Sequence, residues 1–258
     1  MSDFNKEKVI ELANLIISSN GEITFLQEIN NLLKDQNIDE VIQYFVDGFP
    51  NLLTMASSYG PEDQVLVEKL ASIDKGVSIF TIDTGRLFQE TYNLFEETNS
   101  KYAIQIKVFF PNNALVEKMV NTKGINLFYE SVENRKECCH IRKIEPLKRA
   151  LKGTKIWVTG LRSEQSITRI NTSLIEWDSE NQVIKLNPLK DWTEAEVWDY
   201  IKQKNIPYNK LHNQNFPSIG CLPCTRAIKE GEDVRAGRWW WEEPEHKECG
   251  LHNRPKPM

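Results

Sequence analysis

One unit recurs through the first half of this chain: a short apolar run, a polar turn, then a stretch with helical spacing. Asn51-Leu52-Leu53-Thr54-Met55-Ala56 reads as a buried strand ending in Ser57-Ser58-Tyr59-Gly60. Pro61-Glu62-Asp63 then opens a helix to about residue 73, with proline and acids where a helix start favours them. Residues 77–82 form a second strand, Asp83-Thr84-Gly85 a turn, and residues 86 to about 98 a helix. A third strand covers 103–109 and a helix follows Pro111; a basic helix over 136–152 leads to a strand over 155–159. Alternation of this kind specifies an α/β fold, a mostly parallel sheet with helices on both faces. Ligands in such folds bind where loops leave the carboxyl ends of the strands.

Two regions stand outside the alternation. Residues 6 to about 45 carry apolar pairs at helical spacing (Val9-Ile10, Leu12-Ala13, Leu15-Ile16, Val41-Ile42) and predict two or three amphipathic helices. Beyond Leu161 the regularity fades, apart from a helix that Thr193 caps with Glu196 in the capping-box position. No interdomain linker, internal sequence repeat or low-complexity tract is evident. The expectation is a single domain over 1–258, with a helical segment at 1–48 and a tail at 235–258.

The N-terminus is charged from the start, without a secretory apolar core, and no apolar run is long enough to span a bilayer. A cytoplasmic chain with no membrane partner is expected, and there thiols stay reduced. The net charge of −5 argues against nucleic acid as a partner. A small anion held by a local cluster of arginines remains compatible with it.

Five cysteines divide into four and one. Cys138 and Cys139 are adjacent, Cys221 and Cys224 form a C-x-x-C pair, and Cys249 stands alone near the end. Two close pairs in a reducing compartment predict a metal or cluster site, and their spacing admits zinc and iron–sulfur about equally. Cys249 has Gly250 beside it, and Lys247 and His252 near it to favour the thiolate, which suits a nucleophile.

The 57–60 turn, between strand and helix, offers backbone N–H groups and two hydroxyls as an anion cradle, with Asp83-Thr84-Gly85-Arg86 on the same sheet edge. Arg142 and Lys143 flank the cysteine pair, Arg162 follows a strand end, and Arg169, Arg235 and Arg238 come later. Converging guanidinium groups would suit sulfate or phosphate. Trp239-Trp240-Trp241 reads as packing rather than as a base-stacking platform.

These stretches, in this order, closely resemble the assimilatory adenylyl-sulfate reductases of the PAPS/APS reductase family. The resemblance rests on residues 57–63, 81–88, 136–143, 159–162, 220–225 and 238–241, and on Lys247-Glu248-Cys249-Gly250-Leu251-His252. It implies an adenine-nucleotide α-hydrolase-like fold and one 4Fe–4S cluster on Cys138, Cys139, Cys221 and Cys224. It makes Cys249 the nucleophile and places Lys143 between cluster and substrate. The nucleotide falls to Ser57, Ser58, Gly60, Asp83, Gly85 and Arg86, and the phosphate and sulfate to Arg169, Arg235, Arg238 and His252, with Arg162 a further substrate-binding residue. The implied reaction is thiol-dependent reduction of adenylyl sulfate to sulfite and AMP through a Cys249 S-sulfonate, in sulfate assimilation and cysteine biosynthesis. Thioredoxin or glutaredoxin would be the electron donor, and a homo-oligomer is compatible with the resemblance. Pro61, where relatives often carry alanine or glycine, is a departure of small consequence at a helix start.

Two other readings stand beside it. A phosphoadenylyl-sulfate or dual-substrate reductase differs by a 3′-phosphate, although members restricted to that nucleotide typically lack the cysteine pairs. A nucleotide-binding iron–sulfur redox sensor would have no need of an accessible tail thiol. A tRNA-thiolating relative is excluded by the missing Ser-Gly-Gly-x-Asp-Ser loop.

Overall fold

Three helices precede the first strand in the structure, a computed structural model that describes residues 3–165 and 169–243. They are α1 (Asp3–Ser18), α2 (Ile23–Leu33) and α3 (Ile38–Gly48), the last opened by the Asn37 side chain, which accepts from the Asp39 N–H. Then follow β1 (Leu53–Ala56), α4 (Pro61–Ile73), β2 (Ser78–Ile82), α5 (Gln89–Tyr102), β3 (Lys107–Phe109) and α6 (Asn113–Lys123). α7 (Val132–Cys139) continues through a π-helical turn at His140–Ile144 into α8 (Glu145–Ala150). After β4 (Ile156–Val158), β5 (Ile175–Asp178) and β6 (Val183–Leu186) form a hairpin, and α9 (Glu194–Gln203) carries the expected Thr193–Glu196 capping box. Among the described residues, no helix is long and apolar enough to cross a membrane.

The sheet order is β3-β2-β1-β4-β6-β5, parallel throughout except that β5 runs antiparallel to β6. The hairpin lies in the region where sequence periodicity faded. Its turn uses Gln182 at φ +53°, a left-handed position that glycine or asparagine would have advertised. The third strand starts later than expected because Ala103, at φ +51°, caps α5 instead of extending.

Strand residues alternate between two packed faces. Met55, Ile79, Ile156, Val158, Ile184 and Leu186 join the main core with residues of α1, α3, α4 and α9. Phe80, Trp157 and Val183 face the other way, against Leu147 of α8 and Leu151 just beyond it. Helices thus cover both faces, which is why the strands read as nearly continuous apolar runs.

The chain winds from β1 to β2 to β3 on one side, then crosses back to place β4 on the other side of β1. Loops after β1 and β4 therefore diverge, leaving a crevice at the carboxyl edge. Backbone bonds carry the sheet ladder into these loops: Ser57 N–H to the Phe80 carbonyl at 2.8 Å, Asp83 N–H to Phe109 at 3.0 Å, Thr159 N–H to Leu186 at 2.9 Å.

Candidate active site

A cleft of about 260 Å³ occupies that crevice. Its floor is apolar, built by Phe80 and Trp157 of the sheet with Leu147 and Leu161. Its rim carries hydroxyls and backbone from the 57–60 loop, with Thr81 and Thr84. On the far side stand four cationic side chains, Lys143, Arg169, Arg235 and Arg238. A larger recess of about 1000 Å³ adjoins it towards α9 and shares Arg169, Arg235 and Arg238.

The 57–60 loop is braced from within. Asp63, buried in the first turn of α4, accepts from the Ser58 N–H at 2.6 Å and from its hydroxyl at 2.8 Å, while Tyr59 N–H donates to the Ser57 hydroxyl at 3.3 Å. Tyr59 sits at φ +63°. Ser57, Ser58 and Gly60 line the cleft, and Ser58 directs its N–H and hydroxyl to Asp63. Burial pushes the Asp63 carboxyl up to about 6, against the pull of the Ser58 bonds. A Cβ on Gly160 would meet Asp63 Oδ1 at 2.6 Å, so the β4 loop can close on the carboxylate only with glycine there.

The second loop distributes its residues differently from expectation. Thr84 lines the cleft, whereas Asp83 turns inward, accepting from Gly85 N–H at 2.7 Å and from the Tyr92 hydroxyl at 3.0 Å. Gly85 supplies the turn at φ +72°. Arg86 lies beside the cysteines, donating to the Ile125 carbonyl at 2.7 Å and stacking over Phe128. Arg162 lines the adjoining recess rather than the cleft, its guanidinium held by Glu62 at 2.8 Å, Glu164 at 2.9 Å and the Trp192 carbonyl at 3.1 Å. Asp83, Arg86 and Arg162 thus each hold protein partners, and Gly85 contributes its N–H and its backbone conformation to the turn.

Cys138, Cys139, Cys221 and Cys224 come together as buried cysteines in one pocket. Cys138 and Cys139 end α7, and Arg142 and Lys143 follow each by four residues, so cations and thiols share a face. Arg142 donates to the Thr84 carbonyl at 2.7 Å, and the Thr84 hydroxyl lies 3.2 Å from Cys221 Sγ. Gly220 admits Arg238 against the cysteine turn, since a Cβ there would lie 2.4 Å from the guanidinium. Lys143 and Cys221 line both the thiol pocket and the cleft. Burial raises the Cys138 thiol, with Arg142 opposing, and burial together with neighbouring Cys221 pushes Cys224 to about 12. Among the described residues, no group of three or more His, Cys, Asp or Glu side chains is arranged to hold a single metal ion. Cys249 and His252 lie outside the described residues.

Sequence reasoning missed Asp63 as a loop brace, Thr84 as the link between cleft and thiols, and the pairing of Arg135 with Glu242. Thr84 and Asp63 lie inside stretches already singled out; the Arg135–Glu242 pairing carries no local signal. Of the tryptophans, Trp239 is fully buried, Trp241 meets Tyr129 edge-on at 4.4 Å, and Trp240 is half-exposed.

Fold and site together define an adenine-nucleotide α-hydrolase-like protein with a cationic cleft joined to a four-thiol pocket. Residues 52–227 match the phosphoadenosine phosphosulfate reductase domain, and the chain belongs to that family. It is 53% identical over 202 residues to an adenosine 5′-phosphosulfate reductase of Allochromatium vinosum, covering 78% of this chain and 79% of that protein. It is 46% identical over 237 residues to the Neisseria meningitidis serogroup B protein of the same name, covering 92% and 94%. Its fold is similar to the phosphoadenylyl-sulfate reductase of Candida auris solved as a phosphate complex, with TM-score 0.69, 26% identity, and coverage of 80% of this chain and 98% of that one. A Candida glabrata FMN adenylyltransferase shares the fold at TM-score 0.50 and 18% identity, covering 96% of this chain and 87% of that one.

Proposed function

We propose that this chain reduces adenylyl sulfate to sulfite and AMP with electrons from a dithiol protein, in the assimilation of sulfate. The observation that carries this reading is one cationic cleft with an apolar floor opening beside four buried thiols. The floor of Phe80, Trp157, Leu147 and Leu161 suits a planar base. Lys143, Arg169, Arg235 and Arg238 suit the phosphate and sulfate of a sulfonucleotide. The relatives at 46–53% identity, named adenosine 5′-phosphosulfate reductases, favour adenylyl sulfate over its 3′-phosphorylated form.

The four cysteines fit one 4Fe–4S cluster. They are buried and gathered in one pocket, and four cysteine thiolates are the ligand set such a cluster takes. When bound, the cluster would supply a compact charged group beside Lys143, with no electrons taken from it. Thr84 and Arg142 would orient the thiolates from outside.

Cys249 is proposed as the nucleophile. Its thiolate attacks the sulfur of adenylyl sulfate, the sulfur–oxygen bond to phosphate breaks, and AMP leaves with the electron pair. Lys143 and the arginines offset repulsion between the two anions and stabilise charge developing on the leaving phosphate. A thiolate of thioredoxin or glutaredoxin class then attacks Cys249 sulfur. Sulfite departs with the S–S bonding pair, and a second partner thiol resolves the mixed disulfide. His252 is proposed to help hold the substrate from the same tail.

The test is mass spectrometry of the Cys249 peptide after mixing with adenylyl sulfate, with iron measured in parallel. Sulfonate on Cys249 in the wild type, its loss in Cys249→Ser with iron retained, and loss of iron in Cys221→Ser are expected. Continued sulfite release by Cys249→Ser would sink the assignment.

A further inference from the structure

Arg135 and Glu242 form a bidentate ion pair in the interior, Nε to Oε1 at 2.9 Å and Nη2 to Oε2 at 2.8 Å, with side chains 1% and 3% exposed. Arg135 is on α7, three and four residues ahead of Cys138 and Cys139, and lines the thiol pocket. Glu242 is on the segment that leads to Cys249, seven residues further along. The indole of Trp239 packs against this pair, its ring 4.8 Å from the Arg135 guanidinium and 4.7 Å from that of Arg238. Arg238 in turn lines the cleft. One contiguous set of contacts therefore runs from Glu242 through Arg135 and Trp239 to the cleft wall.

We propose that the Arg135–Glu242 pair is a positioning clamp that fixes the 238–242 segment against the cysteine helix and sets the point from which Cys249 is presented to the substrate. This rests on the reading of Cys249 as nucleophile. A fork-to-fork arginine–carboxylate pair has one good geometry, so it selects one register of the segment where apolar packing alone would admit several. Two backbone bonds pin the same segment, Trp239 N–H to the Cys224 carbonyl at 3.1 Å and Glu242 N–H to the Trp239 carbonyl at 2.8 Å. The seven residues from Glu242 to Cys249 span at most about 25 Å, so the clamp bounds the distance between α7 and Cys249. It also ties that bound to the helix bearing two of the thiols, so thiol pocket and tail share one mechanical reference.

The experiment compares wild-type full-chain protein with Glu242→Gln and Glu242→Asp, each with its iron content and visible absorbance recorded. Single-turnover sulfonation of Cys249 should fall at least tenfold in Glu242→Gln, while AMP affinity changes less than threefold and absorbance is retained. Alkylation of Cys249 by iodoacetamide without substrate should rise at least threefold. Glu242→Asp, which keeps the charge but shortens the reach, should lie between the two, and it carries the test if Glu242→Gln does not fold. Sulfonation and alkylation within twofold of wild type in a folded variant would overturn the clamp, as would losses that follow iron loss in proportion. If wild-type protein forms no sulfonate on Cys249, the functional reading fails, and the clamp is judged on alkylation alone.

Discussion

Asp63 receives two hydrogen bonds from a single residue, Ser58, through its backbone N–H and its hydroxyl. The carboxylate thus fixes the loop at the end of the central strand from inside, and does so while buried. The folded carboxyl titrates near 6 against an ordinary 3.8, because burial penalises the charged form. Between those values the native state holds a proton that the unfolded chain has released, so the contribution to stability falls as pH rises from about 4 to about 6. In Asp63→Asn the stability difference between pH 5 and pH 7.5 should shrink by on the order of 1 kcal/mol. Urea unfolding of both proteins at the two pH values measures it; an unchanged difference would reject the assignment.

Arg162 joins the start of α4, through Glu62, to the loop ahead of α9, through the Trp192 carbonyl. Both members of the Arg162–Glu62 pair are largely buried, so Arg162→Met would strand a carboxylate at a cost of about 3 kcal/mol or more. AMP affinity should change far less than for Arg238→Met, because Arg162 is engaged by Glu62 and Glu164 and lines only the adjoining recess, while Arg238 lines the cleft as well. Calorimetric titration with AMP checks the contrast, and equal losses would place Arg162 back among the substrate ligands.

His212 titrates in the opposite sense to Asp63. Burial holds its pKa below the ordinary 6.5, with Glu62 pulling weakly the other way. The unfolded chain therefore takes up a proton first, and stability from this group, complete above about pH 6.5, is lost as pH falls towards the folded value. Its ring packs edge-on against Trp198 at 5.2 Å, so an apolar replacement keeps the contact. His212→Leu should flatten the loss of melting temperature between pH 7.5 and 5.5; an identical drop in both proteins would contradict this.

The capping box at α9 gives a milder effect. The Thr193 hydroxyl accepts from Glu196 N–H at 3.2 Å, and the Glu196 carboxylate accepts from Thr193 N–H at 2.7 Å. Thr193→Ala should cost about 1 kcal/mol in urea unfolding. A change under about 0.3 kcal/mol would mean that tertiary packing of Val197 and Ile201 holds the helix without its cap.

The sequence by itself determined the parts of this protein whose signals are local. Short apolar runs and period-3.6 patterns located β1, β2 and β4 with their helices, because each buries surface that its own residues define. Pro61 and Thr193 announced their helices because capping is satisfied within four residues. The cysteine pairs announced a four-thiol pocket because that chemistry restricts the residue types. Partner choice was decided only by tertiary structure. Arg162 and Arg238 look alike along the chain, yet one is consumed by Glu62 and the other reaches the cleft past Gly220. Arg135 and Glu242, 107 residues apart, become a buried pair only when the tail segment docks on α7. A charged side chain's role depends on which opposite charge the fold brings within about 3 Å, and long-range chain closure sets that distance.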